Sequence, residues 1–141
     1  MIEPVAAVDV PSVWEQAAAA LRAPLRVLGE RNAHDVLIDL VTGKSQLWHL
    51  TGDGADAWAV TEIREYPRKR VARATFCAGR LARGSVEEMR NAFTRWGAAL
   101  GASELRIRGR KGWGRFMPDA AVTMLFRFAL APCAPALETS P

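Results

Sequence analysis

One tyrosine, two histidines and two cysteines in 141 residues leave little material for several kinds of chemistry. His34 and His49 stand far apart with no metal-ligand spacing around them, so neither a zinc site nor histidine-based catalysis is indicated. Cys77 falls in an expected strand and Cys133 in a Pro/Ala-rich segment, which excludes a disulfide framework and reads as two free thiols in a reducing compartment. No apolar run reaches the roughly 20 residues of a membrane-spanning helix, and the start of the chain lacks a basic stretch followed by an apolar one. No membrane partner is therefore expected. Internal repeats are absent, and the cluster Gly52-Asp53-Gly54-Ala55-Asp56 is too short for a calcium loop.

Core-forming residues are plentiful. Half of the residues are apolar and 24% are charged, with 19 basic side chains against 15 acidic ones and a net charge of +4. A chain of this length buries about two-thirds of its unfolded surface, so one domain over residues 1–130 is expected, followed by a disordered Pro- and Ala-rich tail over 131–141. The positive balance is compatible with an acidic partner without requiring one.

Residues 2–8 read as a short first strand containing Pro4. Ser12-Val13-Trp14-Glu15 has the Ser-x-x-Glu form of a capping box, after which Trp14, Ala17, Ala18 and Leu21 share one helical face, and Pro24 is expected to stop that helix. Asn32-Ala33-His34-Asp35 opens a second helix, with Val36, Leu37, Leu40 and Val41 on its apolar side and Gly43 at its C-terminal cap. Residues 46–50, 57–63 and 71–78 have the apolar and β-branched content of strands. The Gly52–Asp56 cluster and the turn at Pro67-Arg68 join them into an antiparallel meander.

Ser85-Val86-Glu87-Glu88 forms a second capping-box pattern, at the head of a helix carrying Val86, Met89, Phe93, Trp96 and Leu100 and closed by Gly101. The loop before it delivers backbone N–H groups to a helix start, the physical arrangement of an anion site. Residues 104–108 alternate Leu105 and Ile107 with charge. Because a helix separates them from residues 71–78, the two strands are expected to pair in parallel. Residues 121–130 read as a last strand, and residues 111–117 hold at most one helical turn. The expected class is α/β (α+β): a mixed central sheet with an antiparallel meander and helices on both faces.

This order of elements resembles the Gcn5-related N-acetyltransferase (GNAT) fold. In that family the strand before the central helix carries a bulge, and the loop after it follows Arg/Gln-x-x-Gly-x-Gly/Ala and holds the pyrophosphate of acetyl-CoA on its amides. Here the loop is Arg80-Leu81-Ala82-Arg83-Gly84-Ser85: Arg80 fits, Arg83 stands at the first glycine and Ser85 at the last small residue. A bulky side chain in place of that glycine hinders close approach to phosphate, and the family's tyrosine acid has no counterpart, since the single tyrosine is Tyr66. Three stretches, Gln46-Leu47-Trp48, residues 61–70 and Gly109-Arg110-Lys111-Gly112-Trp113-Gly114-Arg115, are similar to those of small GNAT-like proteins of tailed phages and prophages related to the internal virion protein A family.

The resemblance implies a virion structural or assembly component with a non-catalytic domain and no cofactor, located in the virion or the host cytoplasm. Its partners would be other phage structural proteins or further copies of the chain. The alternative is an acetyl-CoA-dependent N-acyltransferase using Arg80, Arg83, Gly84 and Ser85 for the cofactor and Glu62 as general base. For Glu62 the structural reading is an ion pair with Arg64, Arg70 or Arg73 across the hairpin. A third reading is a nucleic-acid-binding protein using Arg64, Arg68, Lys69, Arg70 and Arg73 together with Arg106, Arg108, Arg110, Lys111 and Arg115, against which stands an ion-paired or solvated face. For an assembly role the candidate contacts are Tyr66, Arg68 and Arg70 at one hairpin end, with Arg110, Trp113 and Arg115 in the glycine-rich segment. Both groups are expected to lie outside the core.

Overall fold

The computed structural model describes residues 1–108 and 129–130. Its order is β1 (Ile2–Val5), α1 (Val10–Leu28), α2 (Ala33–Val41), β2 (Ser45–Gly52), β3 (Ala55–Glu65), β4 (Arg70–Arg80), α3 (Ser85–Ala99) and β5 (Glu104–Ile107). The five strands lie side by side in sequence order, antiparallel from β1 to β4, and β5 joins β4 in parallel. Alternation had marked the meander, and the helix between β4 and β5 had marked the parallel pair. Both features are present. Asp53 and Gly54 take φ of 53° and 87° in the two-residue β2–β3 turn, the positive-φ pair that matches the twist of a hairpin. Pro4 is accommodated because β1 is an edge strand.

Each face of the sheet carries its own core. On one, Val10, Ala17, Leu21 and Leu25 of α1 and Val36 and Leu40 of α2 pack on Leu47, Trp58, Val60 and Phe76. On the other, Val86, Met89, Ala92 and Phe93 of α3 cover Trp48, Leu50, Ala57, Ala59 and Ala74. Helices therefore lie on both faces of a mixed sheet, as expected for the class.

Several boundaries differ from the sequence expectation. α1 runs through Pro24 to Leu28 and ends at Gly29, whose φ of 65° makes the left-handed cap. A proline inside a helix costs about 3 kcal/mol, but stopping there would leave Leu25 out of a core in which it is buried. Ser12 lies inside α1 and donates to the Asp9 carbonyl (2.7 Å), so the first capping box does not form. The capping box that does form is at Asn32: its side chain accepts from the Asp35 amide (2.8 Å), and the Asp35 carboxylate accepts from the Asn32 amide (3.0 Å). The first strand stops at Val5, and residues 7–9 make a single 3-10 turn. The expected elements at 111–117 and 121–128 and the tail at 131–141 lie outside the described residues.

Candidate functional site

β3 and β4 stay in register from Asp56↔Arg80 to Val60↔Phe76, then Thr61 pairs with Ala74 and leaves Thr75 as an extra residue in β4. This is a β-bulge, at the strand for which the resemblance implied one. The Thr75 hydroxyl donates to the Val60 carbonyl (3.1 Å), which ties the bulge to β3. The bulge shifts the phase of β4, so that Ala74 faces α3 while Phe76 faces α1 and α2. The described pairing of β4 with β5 stops just short of it. Their pairing runs from Val71↔Glu104 to Ala74↔Ile107 and ends in a long Arg108 N–H contact to the Ala74 carbonyl (3.4 Å). Beyond it, residues 75–80 of β4 have no strand on that side among the described residues. Among the described residues, the outward backbone donors and acceptors of that row have no strand partner, the arrangement that an extended ligand can use.

The opened edge leads into the α3 N-terminus. Gly79 has φ of 122° and no room for a Cβ beside the Asp56 carbonyl, and Arg80 donates through Nε to the Gly54 carbonyl (2.6 Å), which ties the end of β4 to the β2–β3 hairpin. The N-cap is Gly84, with φ of 82°, open space where a Cβ would stand, and no side-chain cap. Ser85 is the first helical residue, not the cap. Its buried hydroxyl accepts from the Ala82 amide (2.8 Å), while its own N–H donates to the Ala82 carbonyl (3.1 Å). Glu88 does not close a capping box but pairs with the Met1 amino group at 3.2 Å.

The loop expectation is corrected at Arg83. Gly84 takes the left-handed conformation, and Arg83 has ordinary negative φ, an exposed side chain and no ion pair among the described residues. A side chain at 83 therefore does not obstruct the turn. It places a cation beside amides that no side chain caps.

Glu62 lies on the face covered by α1 and α2, 8% exposed, and three guanidiniums gather around its carboxylate. Arg64 Nε is 3.3 Å from Oε1, Arg73 Nη1 3.7 Å from Oε1, and Arg31 Nη2 3.6 Å from Oε2. Arg31 also donates to Asp39 at 3.1 Å. The ion pairs expected with Arg64 and Arg73 are present; Arg70 instead pairs with Glu65 and donates to the Leu100 carbonyl (2.7 Å). Arg31 had no sequence signal, since it lies in a connector and meets Glu62 only through the fold.

The hairpin end is exposed as expected: Tyr66, Arg68 and Arg70 lie outside the core. Lys69 and Arg106 bond Glu104, which holds that carboxyl below its usual range, Lys69 first, and Arg106 sits 5.5 Å from the Tyr66 ring centroid. Much of the expected basic cluster is thus ion-paired. Tyr66 is in the β3–β4 turn, at the opposite end of β4 from Gly79 and Arg80. Arg110, Trp113 and Arg115 lie outside the described residues. Cys77, two positions past the bulge, turns its thiol toward Met89 (3.6 Å), and burial pushes that thiol up to about 11. Among the described residues no cluster of His, Cys, Asp and Glu could hold a metal ion, and no helix is long and apolar enough to cross a membrane.

No protein-family model matches the chain, and no curated protein sequence matches it. Solved structures do. A ribosomal-protein-alanine N-acetyltransferase from Brucella melitensis biovar Abortus 2308 superposes with a TM-score of 0.62 at 11% identity, covering 95% of this chain and 99% of its own. An aminoglycoside N-acetyltransferase in complex with CoA gives 0.61 at 16%, covering 94% and 95%. An aminoglycoside acetyltransferase from an uncultured soil metagenomic sample gives 0.66 at 10%, covering 94% and 98%. The fold is the GNAT fold. These matches correct the expectation of a phage virion structural or assembly protein: these three chains, which share the architecture over almost their full length, are acetyltransferases.

Proposed function

We propose that the chain is an acyl-CoA-dependent N-acyltransferase. One observation carries the reading: among the described residues, the edge of β4 past the Thr75 bulge has no strand partner and runs directly into an α3 N-terminus that no side chain caps. The two parts fit an extended ligand with an anionic end. The pyrophosphate would lie on the amides of Arg83, Gly84, Val86 and Glu87, where the helix dipole favours negative charge, and the amide-bearing arm would run along residues 75–80 as an added strand. Open space at Gly84 allows the close approach.

Acetyl-CoA supplies an activated acyl carbon: the acceptor amine forms the C–N bond, the C–S bond breaks, and the proton lost by the amine ends on the CoA sulfur. The chain's own part is positioning and electrostatics. The outward β4 amides past the bulge, which have no strand partner among the described residues, would orient a carbonyl oxygen and stabilise charge developing on it, in a place set by the sheet. Glu62 does not serve as an open general base, because guanidiniums on three sides occupy its oxygens.

Calorimetric titration with acetyl-CoA tests the proposal. Saturable one-to-one binding in the micromolar range is expected. Arg83→Glu should weaken it at least about tenfold, since a charge-assisted hydrogen bond is worth about 1.5–3 kcal/mol. Absence of saturable binding to folded protein overturns the proposal.

A further inference from the structure

We infer that the arginines gathered by Glu62 form a carboxylate-binding subsite for the acceptor, so that the acceptor class is an amine carrying a carboxylate, such as the N-terminus of an acidic peptide. The inference rests on the acyltransferase reading and adds to it the substrate class.

The cluster joins Arg31, Arg64 and Arg73 with Glu62 and Asp39, so three cations against two carboxylates leave one positive charge in surplus. Glu62 is inside and the arginines are further out: the Glu62 side chain is 10% exposed, against 28% for Arg31, 24% for Arg73 and 50% for Arg64, with Asp39 at 23% on the same level as Arg73. Each guanidinium offers up to five N–H donors, and the carboxylates engage only a few of them. The remaining donors converge on one place and suit a planar anion. A purely structural role would not call for three arginines on one carboxylate, because buried ion pairs contribute little net stability beyond their desolvation cost. The single surplus charge matches a carboxylate better than a doubly charged phosphate.

Location supplies the link to chemistry. Arg73 lies two residues before the bulged Thr75, about 7 Å along the strand, on the face that α1 and α2 cover. Arg31 comes from the short connector between those helices, and Arg64 from the end of β3. An acceptor whose amine reaches the opening at Thr75 therefore has the cluster within one or two residue lengths. Its carboxylate would meet the guanidiniums, and Glu62 acts as a positioning residue that holds them in place.

The test is calorimetric titration of glycyl-glutamate amide and glycyl-glutamine amide, which differ only in one carboxylate, into the full chain with and without CoA. The glutamate peptide is expected to bind at least tenfold more tightly, and Arg64→Gln, at the exposed rim, should bring the two within about twofold of each other. Should Arg64→Gln lower the melting temperature, Arg31→Gln reads the same loss from a different element. Equal affinity of the two peptides, or no binding of either, overturns the subsite whatever CoA does. CoA binding without peptide preference leaves the acyltransferase reading standing, and peptide preference without CoA binding removes that reading while keeping the subsite.

Discussion

At the scale of single residues, the buried polar groups show what holds the two faces together. Thr61 is fully buried and accepts from the Trp48 indole N–H (2.8 Å), while the Trp48 ring meets Phe93 edge-on at 5.3 Å and Trp96 at 6.1 Å. Thr61→Val keeps the volume but orphans a buried donor, so it should destabilise by about 1–3 kcal/mol with an unchanged denaturant slope in urea unfolding. Cys77 makes a different prediction. Its thiol pKa is raised by burial from 9.0 to about 11, so the stability it contributes is fully present below pH 9 and lost as pH rises through about 11. Wild type should lose more stability than Cys77→Ala over that interval, and parallel curves would contradict the burial of the thiol.

The sequence made Glu62 legible as an ion-paired residue, because Arg64 and Arg73 are neighbours fixed by strand alternation and pairing. Arg31 and the Thr61–Trp48 bond were not legible, because both depend on distant segments meeting in the fold. The same holds for the phage-like stretches. Their distinctive residues include Leu47, Trp48 and Thr61, and all three are buried in the two cores or at their junction. For these three residues the distinctiveness is packing that the fold requires.

At the scale of elements, the boundaries that sequence patterns misplaced are those where burial outweighed a local rule. Pro24 did not end α1, because the stripe Val10, Ala17, Leu21, Leu25 continues across it. Ser85 did not cap α3, because its hydroxyl is buried against the preceding turn. The Thr75 bulge had no local signature at all, since apolar residues flank it on both faces. Glycine substitutions separate the forces at these junctions. At Gly97 a Cβ would stand 2.7 Å from the Ala72 Cβ, where α3 presses on β4. Gly97→Ala should therefore destabilise despite a helix propensity that favours alanine by about 1 kcal/mol. Gly79→Ala combines a φ of 122° with overlap on the Asp56 carbonyl and should be the more damaging change. Gly84→Ala meets nothing and should lose only the left-handed strain, about 1–2 kcal/mol. Urea midpoints in the order Gly84→Ala, Gly97→Ala, Gly79→Ala, from highest to lowest, would bear out this account.

At the scale of the molecule, a parallel strand is added by a crossover helix to an antiparallel meander, and among the described residues it pairs with only the first half of β4, leaving an opening beside the second. The order and sense of these strands were readable from alternation and turns. The opening was not, since it depends on how far along β4 the pairing of β5 reaches. The central claim is that this opening and the α3 N-terminus together hold acyl-CoA. Amide chemical-shift mapping by two-dimensional NMR with CoA tests it most directly. The largest shifts should fall at residues 75–80 and 83–87, with β1 and α2 little changed. Saturating CoA that moves no amide in those two segments, or that shifts a different surface instead, would contradict the account.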